Sequence, residues 1–201
     1  MKQTILCLDM EWVLTPEIWQ AVAKETQIKE LELTTKDIAD YDELMNHRLK
    51  YIRENNITLD FIQNIISQLD PYKWVVEFLA WAEEKMQVIV LSDTFIEFAK
   101  PLVKKMNNPT IFCHNLLSDE NWNITWYKLR LNDQKTEAVR RFKELNFKVI
   151  ASGDSFNDTW MLVEADHWFF FKPSPKTVEQ FPQFAIADNY EELKKYIDWV
   201  L

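Results

Sequence analysis

Two acidic pairs each follow a short apolar run. Asp9 and Glu11 follow Ile5-Leu-Cys-Leu, and Asp154 and Asp158 follow Val149-Ile-Ala-Ser-Gly. Carboxylates at the carboxyl end of a buried strand are a usual way to hold a hard cation such as Mg²⁺ beside a phosphate. A carboxylate in the place of Asp9 can also attack phosphorus and split one hard displacement into two easier ones. A second carboxyl two residues on can protonate the leaving oxygen and later deprotonate a water. Ser92 closes the apolar run Val88-Ile-Val-Leu and precedes a helical pattern. There a hydroxyl and neighbouring backbone N–H groups can donate to phosphate. Lys135, near the start of another helical pattern, is a point charge suited to a phosphate oxygen. Taken singly, Asp9 or Ser92 reads as a cap or turn residue, Lys135 as a surface lysine and Asp158 as an acid favoured in a first helical turn. Their ordered combination points to Mg²⁺-dependent phosphoryl transfer.

These residues need a scaffold that brings distant strand ends together. Apolar runs at Ile5–Leu8, Val88–Leu91, Ile111–Cys113, Val149–Ala151, Phe169–Phe171 and Phe184–Ala187 read as strands. Helical patterns cover Phe95–Met106, Lys135–Leu145, Asp158–Ala165 and Tyr190–Val200. Such alternation predicts an α/β fold, a Rossmann-like three-layer structure around a parallel sheet. Between the first two strands only helical patterns occur: Pro16–Thr26, Tyr41–Asn55, and Thr58–Leu69 behind Thr58 as N-cap. They read as a helical cap over residues 15–73, with residues 1–14 and 74–201 forming the catalytic core. Alternation across Thr125–Leu131 after the polar stretch Ser118–Asn123 predicts a β-hairpin.

Composition narrows the class. The chain has 201 residues, 47% of them hydrophobic, and a formal charge of −9, which fits one domain with a small insertion and argues against a nucleic-acid partner. The cluster Arg140, Arg141 and Lys143 reads as a solvated helix face. Two cysteines are too few for a disulfide framework and imply a reducing, cytoplasmic setting. No run approaches a membrane span. Three scattered histidines lack zinc-ligand spacing.

Asp9-Met-Glu11, Ser92, Lys135 and Gly153-Asp-Ser-Phe-Asn-Asp158 resemble, in order, the four motifs of the haloacid dehalogenase superfamily of phosphotransferases. Pro16-Glu17-Ile18-Trp19, Leu91-Ser-Asp-Thr94, Pro109-Thr110, Cys113-His114 and Phe181-Pro-Gln-Phe184 resemble its subgroup that hydrolyses phosphoserine and passes the phosphoryl group to homoserine. The resemblance implies that Asp9 is the nucleophile and Glu11 the general acid/base, with its carbonyl on Mg²⁺. It implies that Asp154 binds Mg²⁺ and that Asp158 supports or joins it. Ser92 and Lys135 would hold the phosphoryl group, with Asp93 and Asn157 beside the substrate. Glu17 and Arg48 would grip the ammonium and carboxylate of phosphoserine. Another small phosphomonoester is the alternative substrate, and a homodimer is an open expectation.

One glycine stands among 201 residues, against about fourteen at ordinary usage, while tryptophan occurs nine times. Trp19 and Trp81 match aromatic positions of the resembling family. Trp122, between Asn121 and Asn123, sits where glycine would complete a turn signal. Trp12, Trp74, Trp126, Trp160 and Trp168 also fall where that family has glycine or a small residue. One reading is a gene that uses UGA for glycine, with Asn56 and Asn107 as ordinary replacements at left-handed turns; aromatic-rich drift or redesign is the other. A bulky Trp12 beside the nucleophile would leave a folded chain with impaired activity.

Overall fold

The computed structural model describes residues 2–35, 37–38 and 40–201. One seven-stranded sheet has the order β4-β3-β2-β1-β5-β6-β7. Its strands are β1 (Thr4–Leu8), β2 (Gln87–Phe95), β3 (Thr110–Ser118), β4 (Ile124–Lys128), β5 (Lys148–Gly153), β6 (His167–Phe171) and β7 (Ala185–Ala187). All neighbours pair in parallel except the β3–β4 hairpin. The α/β architecture and the hairpin agree with the sequence reading.

The apolar runs are continuous because both sheet faces are covered. Leu6 and Leu8 of β1 join one buried cluster and Ile5 and Cys7 the other. Phe169 and Phe171 of β6 face the first and Phe170 the second. Helices α4 (Val75–Glu83) and α9 (Tyr190–Val200) supply Phe78, Leu79, Leu193 and Ile197 to the first face. Helices α6 (Gln134–Glu144) and α7 (Thr159–Glu164) supply Val139, Met161 and Leu162 to the second.

Helices α1 (Ile18–Thr26), α2 (Tyr41–Glu54) and α3 (Leu59–Ser67) lie between β1 and β2 in the chain. They bury Val22, Met45, Leu49 and Ile62 in the same cluster as Phe95, Phe98 and Leu102, the last two from α5 (Ile96–Lys105). Helix α1 begins two residues later than the periodicity suggests, because Glu17 is extended and its carboxylate accepts the Gln20 N–H as the N-cap. Thr58 takes the N-cap position of α3, but its hydroxyl makes no capping bond. The hairpin also meets these helices. Leu59 N–H donates to the Trp122 carbonyl at 2.8 Å, Thr58 bridges to Asn123, and the Arg53 guanidinium donates to the Thr125 carbonyl.

Two strands differ in length from the sequence expectation. β2 runs on through Ser92-Asp-Thr to Phe95, which pairs with His114 across a register shift. β3 runs on to Ser118 because β4 pairs with its distal half. Helices α4 and α8 (Pro175–Gln180) and a 3₁₀ turn at Lys29–Glu32 go beyond the expected elements.

Candidate active site

The Asp9 N–H donates to the Ser152 carbonyl at 3.0 Å, which fixes the end of β1 beside the end of β5. The sheet grows outward in opposite directions from these two strands, so the site lies at the topological switch point. Asp9, Asp154 and Asp158 are buried, and each offers a carboxylate oxygen within 4.8 Å of the others. Two positions some 145 residues apart in sequence therefore share one centre.

Gly153 makes the approach possible. A Cβ there would lie 2.4 Å from the Asp158 Cγ. Asp158 Oδ2 accepts N–H groups from Asp154 and Ser155 at 3.0 and 3.1 Å, while its Oδ1 meets Lys135 Nζ at 2.8 Å. Lys135, from the first turn of α6, also donates to Asp9 Oδ1 at 2.8 Å and lies 3.6 Å from Asp93. Burial alone would depress the lysine, but Asp158, Asp9 and Asp93 outweigh it and hold its pKa well above the usual value. Asp9 is pushed well up by burial, then by Asp158, with Lys135 opposing.

Glu11 sits on the chain leaving β1 and turns toward α1, where its Oε1 accepts the Ile18 N–H at 2.8 Å. Burial, then Glu17, raises its pKa to about 8. Its carboxylate stands apart from the three-aspartate cluster. Glu17 and Arg48 lie nearby, both buried. The Arg48 guanidinium stacks on Trp19 at 4.5 Å, and one Nη donates to the Leu33 carbonyl at 2.7 Å, while Nε has no hydrogen-bond partner among the described residues. These groups line one cavity of about 300 Å³ with Asp9, Trp12, Asp93, Thr94, Lys135, Asp154 and Asn157. Of the expected site residues, Ser92 and Asp158 do not line it. Asp158 lies beneath the floor, and the Ser92 hydroxyl faces the Thr94 N–H at 3.3 Å.

Contacts at the cavity also involve Tyr41, and those beside it Gln134 and His114, which line a neighbouring cavity and were not among the expected site residues. Tyr41 donates its hydroxyl to the Asp93 carbonyl at 3.0 Å, joining α2 to β2. Asn157 donates to the Thr35 hydroxyl across the same cleft. Gln134 donates to the Ser92 carbonyl, and His114 Nδ1 accepts the Arg130 N–H at 3.0 Å. Nothing in the spacing of Tyr41, Gln134 and His114 marks them as site residues, since each acts through a contact far away in sequence.

Across 191 residues the chain is 47% identical to a phosphoserine phosphatase of Pseudomonas syringae pv. tomato, covering 95% of this chain and 81% of that protein. It belongs to the phosphoserine phosphatase family. The phosphoserine phosphatase ThrH of Pseudomonas aeruginosa is 46% identical over 191 residues, with 95% and 93% covered. No family model matches the chain. Solved structures of family members share the fold. An apo phosphoserine phosphatase superposes with a TM-score of 0.79 at 17% identity over 97% of this chain and 99% of that one. A phospho-aspartyl intermediate analogue of phosphoserine phosphatase superposes with a TM-score of 0.76 at 16% identity, covering 98% and 99%.

Proposed function

We propose that the protein is a Mg²⁺-dependent phosphoserine phosphatase that works through an aspartyl phosphate. The convergence of Asp9, Asp154 and Asp158 around Lys135 is the observation that carries this reading. Three carboxylates against one ammonium leave an excess of negative charge in a buried, all-oxygen site, which suits a hard divalent cation. Asp9, Asp154 and Asp158 would hold Mg²⁺, which when bound neutralises charge on the phosphoryl oxygens.

Asp9 Oδ1 already accepts from the Met10 N–H and Lys135, so Oδ2 carries the attack on phosphorus. The bond from phosphorus to the serine oxygen breaks as the Asp9 acyl phosphate forms. Glu11, neutral below about pH 8, gives its proton to that leaving oxygen. As a carboxylate it then takes a proton from the water that hydrolyses the acyl phosphate, and Asp9 and phosphate are released. Lys135 balances charge on the phosphoryl group. Arg48, whose Nε has no hydrogen-bond partner among the described residues, would take the substrate carboxylate, and Glu17 its ammonium. Residues 15–73 act as the cap that closes the cleft from water.

Transfer to homoserine is a second reading. A cavity of about 330 Å³ shares Tyr41, Asp93, Lys135 and Asn157 with the first and gives a small alcohol room beside the phosphate. The two cysteines, both buried and unpaired, suit a reducing cytoplasm. Phosphoserine turnover should require Mg²⁺ and vanish in Asp9→Asn. Near-normal activity in that variant sinks the mechanism; cleavage of other phosphomonoesters but not phosphoserine sinks the substrate assignment.

A further inference from the structure

Among the described residues ten non-glycine residues have positive φ, and three are tryptophans: Trp12 at 64°, Trp74 at 76° and Trp122 at 63°. Side chains other than Asn and Asp reach this region at a cost of roughly 1–2 kcal/mol, and only a few per cent of non-glycine residues do so. Nine tryptophans should therefore contribute about 0.3 cases, not three. Of the other seven, five are tolerant types, Asn56, Asn107, Asn108, Asn146 and Asp133, and two are not, Gln27 at 58° and Lys172 at 47°.

The three backbones cannot relax by local rotation. Trp12 N–H donates to the Thr15 carbonyl at 2.7 Å, inside a turn closed by Leu14 and Thr15 N–H groups on the Met10 carbonyl. Trp122 lies in the hairpin turn. Its N–H meets the Asp119 carbonyl and its own carbonyl accepts from Leu59, while Asp119 Oδ1 accepts from Asn121 and Asn123 on either side. Trp74 caps α4, its carbonyl accepting the Phe78 N–H at 2.9 Å. The three indoles lie outside the buried core, Trp12, Trp74 and Trp122 being 42%, 58% and 53% exposed, with Lys73 Nζ 4.7 Å over the Trp74 ring. Trp19, by contrast, is 4% exposed and packs edge-on against Phe98.

We propose that glycine, not tryptophan, occupies positions 12, 74 and 122 in the polypeptide made by the source cell, through a UGA codon decoded there as glycine. UGA shares two bases with the tryptophan codon UGG and two with the glycine codon GGA, so one reassigned codon accounts for surplus indoles and missing glycines together. The backbone at Trp126, Trp160 and Trp168 has no positive φ, so the conformational argument does not extend to them. This inference rests on backbone geometry and stands independently of the phosphatase reading.

Two measurements test it. Peptide masses of the protein isolated from the cells that encode it should show glycine at 12, 74 and 122; tryptophan there overturns the proposal. In a host with the standard code, each site is changed to glycine and to alanine. Alanine is normally the more stable choice, but at positive φ the order inverts. Trp12→Gly, Trp74→Gly and Trp122→Gly should each melt about 2–4 °C above the matching alanine variant. Trp199, inside α9, serves as the control, with Trp199→Ala the more stable of its pair. Alanine variants as stable as the glycine variants at all three sites would overturn the proposal.

Discussion

Gly153 and Asp158 illustrate how tightly the centre is specified at the level of single residues. A methyl group at 153 would overlap the Asp158 carboxylate, and that carboxylate holds both the 154–155 turn and Lys135. Gly153→Ala should therefore cost turnover by at least about 10²-fold, the penalty for small misplacement of reacting groups, as steady-state kinetics will read. Glu11 carries a different signature. Its folded pKa of about 8 lies above the ordinary 4.5, so its contribution to stability is full below pH 4.5 and is lost as pH rises through 8. In EDTA, Glu11→Gln should flatten the fall in melting temperature across that window, while slowing phosphoserine turnover by about 10²–10⁴. An unchanged pH–stability curve would contradict the assigned burial of this acid. Trp12 shares the cavity with Glu11, so Trp12→Gly should raise kcat/KM on phosphoserine by opening the mouth of the cleft.

Among the elements, β1 and β5 were the most legible in sequence. A short apolar run covered on both faces and stopped by an acid admits few other readings, and both acids meet where that pattern predicts. The end of β2 was less legible. Ser92-Asp-Thr94 has strand-ending polarity, yet the strand continues because Phe95 finds His114 on β3 and is buried with Phe98. Helix α4 had a readable face, with Val75, Phe78, Leu79 and Ala82 buried at helical spacing. Its cap at Trp74 carries no recognisable signal. Glu17 belongs to the site by resemblance and to the N-terminus of α1 by geometry, a double use that spacing cannot display. Tyr41 joins α2 to β2 through one hydroxyl. Tyr41→Phe should raise KM for phosphoserine several-fold while costing about 1 kcal/mol or less in stability, measurable by denaturant titration beside kinetics.

For the molecule as a whole, the cation and the fold should be linked. A ligand that binds only the folded chain raises its stability by RT ln(1 + [L]/Kd). Mg²⁺ should thus raise the melting temperature, and Asp154→Asn should abolish that rise without unfolding the chain. A shift that survives the substitution would place the cation elsewhere. Stability without metal comes from the two apolar layers. Phe170, fully buried between β5, β7 and the aromatic rings of Phe181 and Phe184, should cost about 3–5 kcal/mol when changed to alanine.

The clasp of Arg53, Thr58 and Leu59 onto the hairpin has a mechanical consequence. Those backbone groups belong to an outer strand and its tip, where unsatisfied amides invite foreign chains. If α2 and α3 swing away from the cleft to admit substrate, they must either drag the hairpin along or leave that margin bare. A joint motion keeps the seam between helices and hairpin closed.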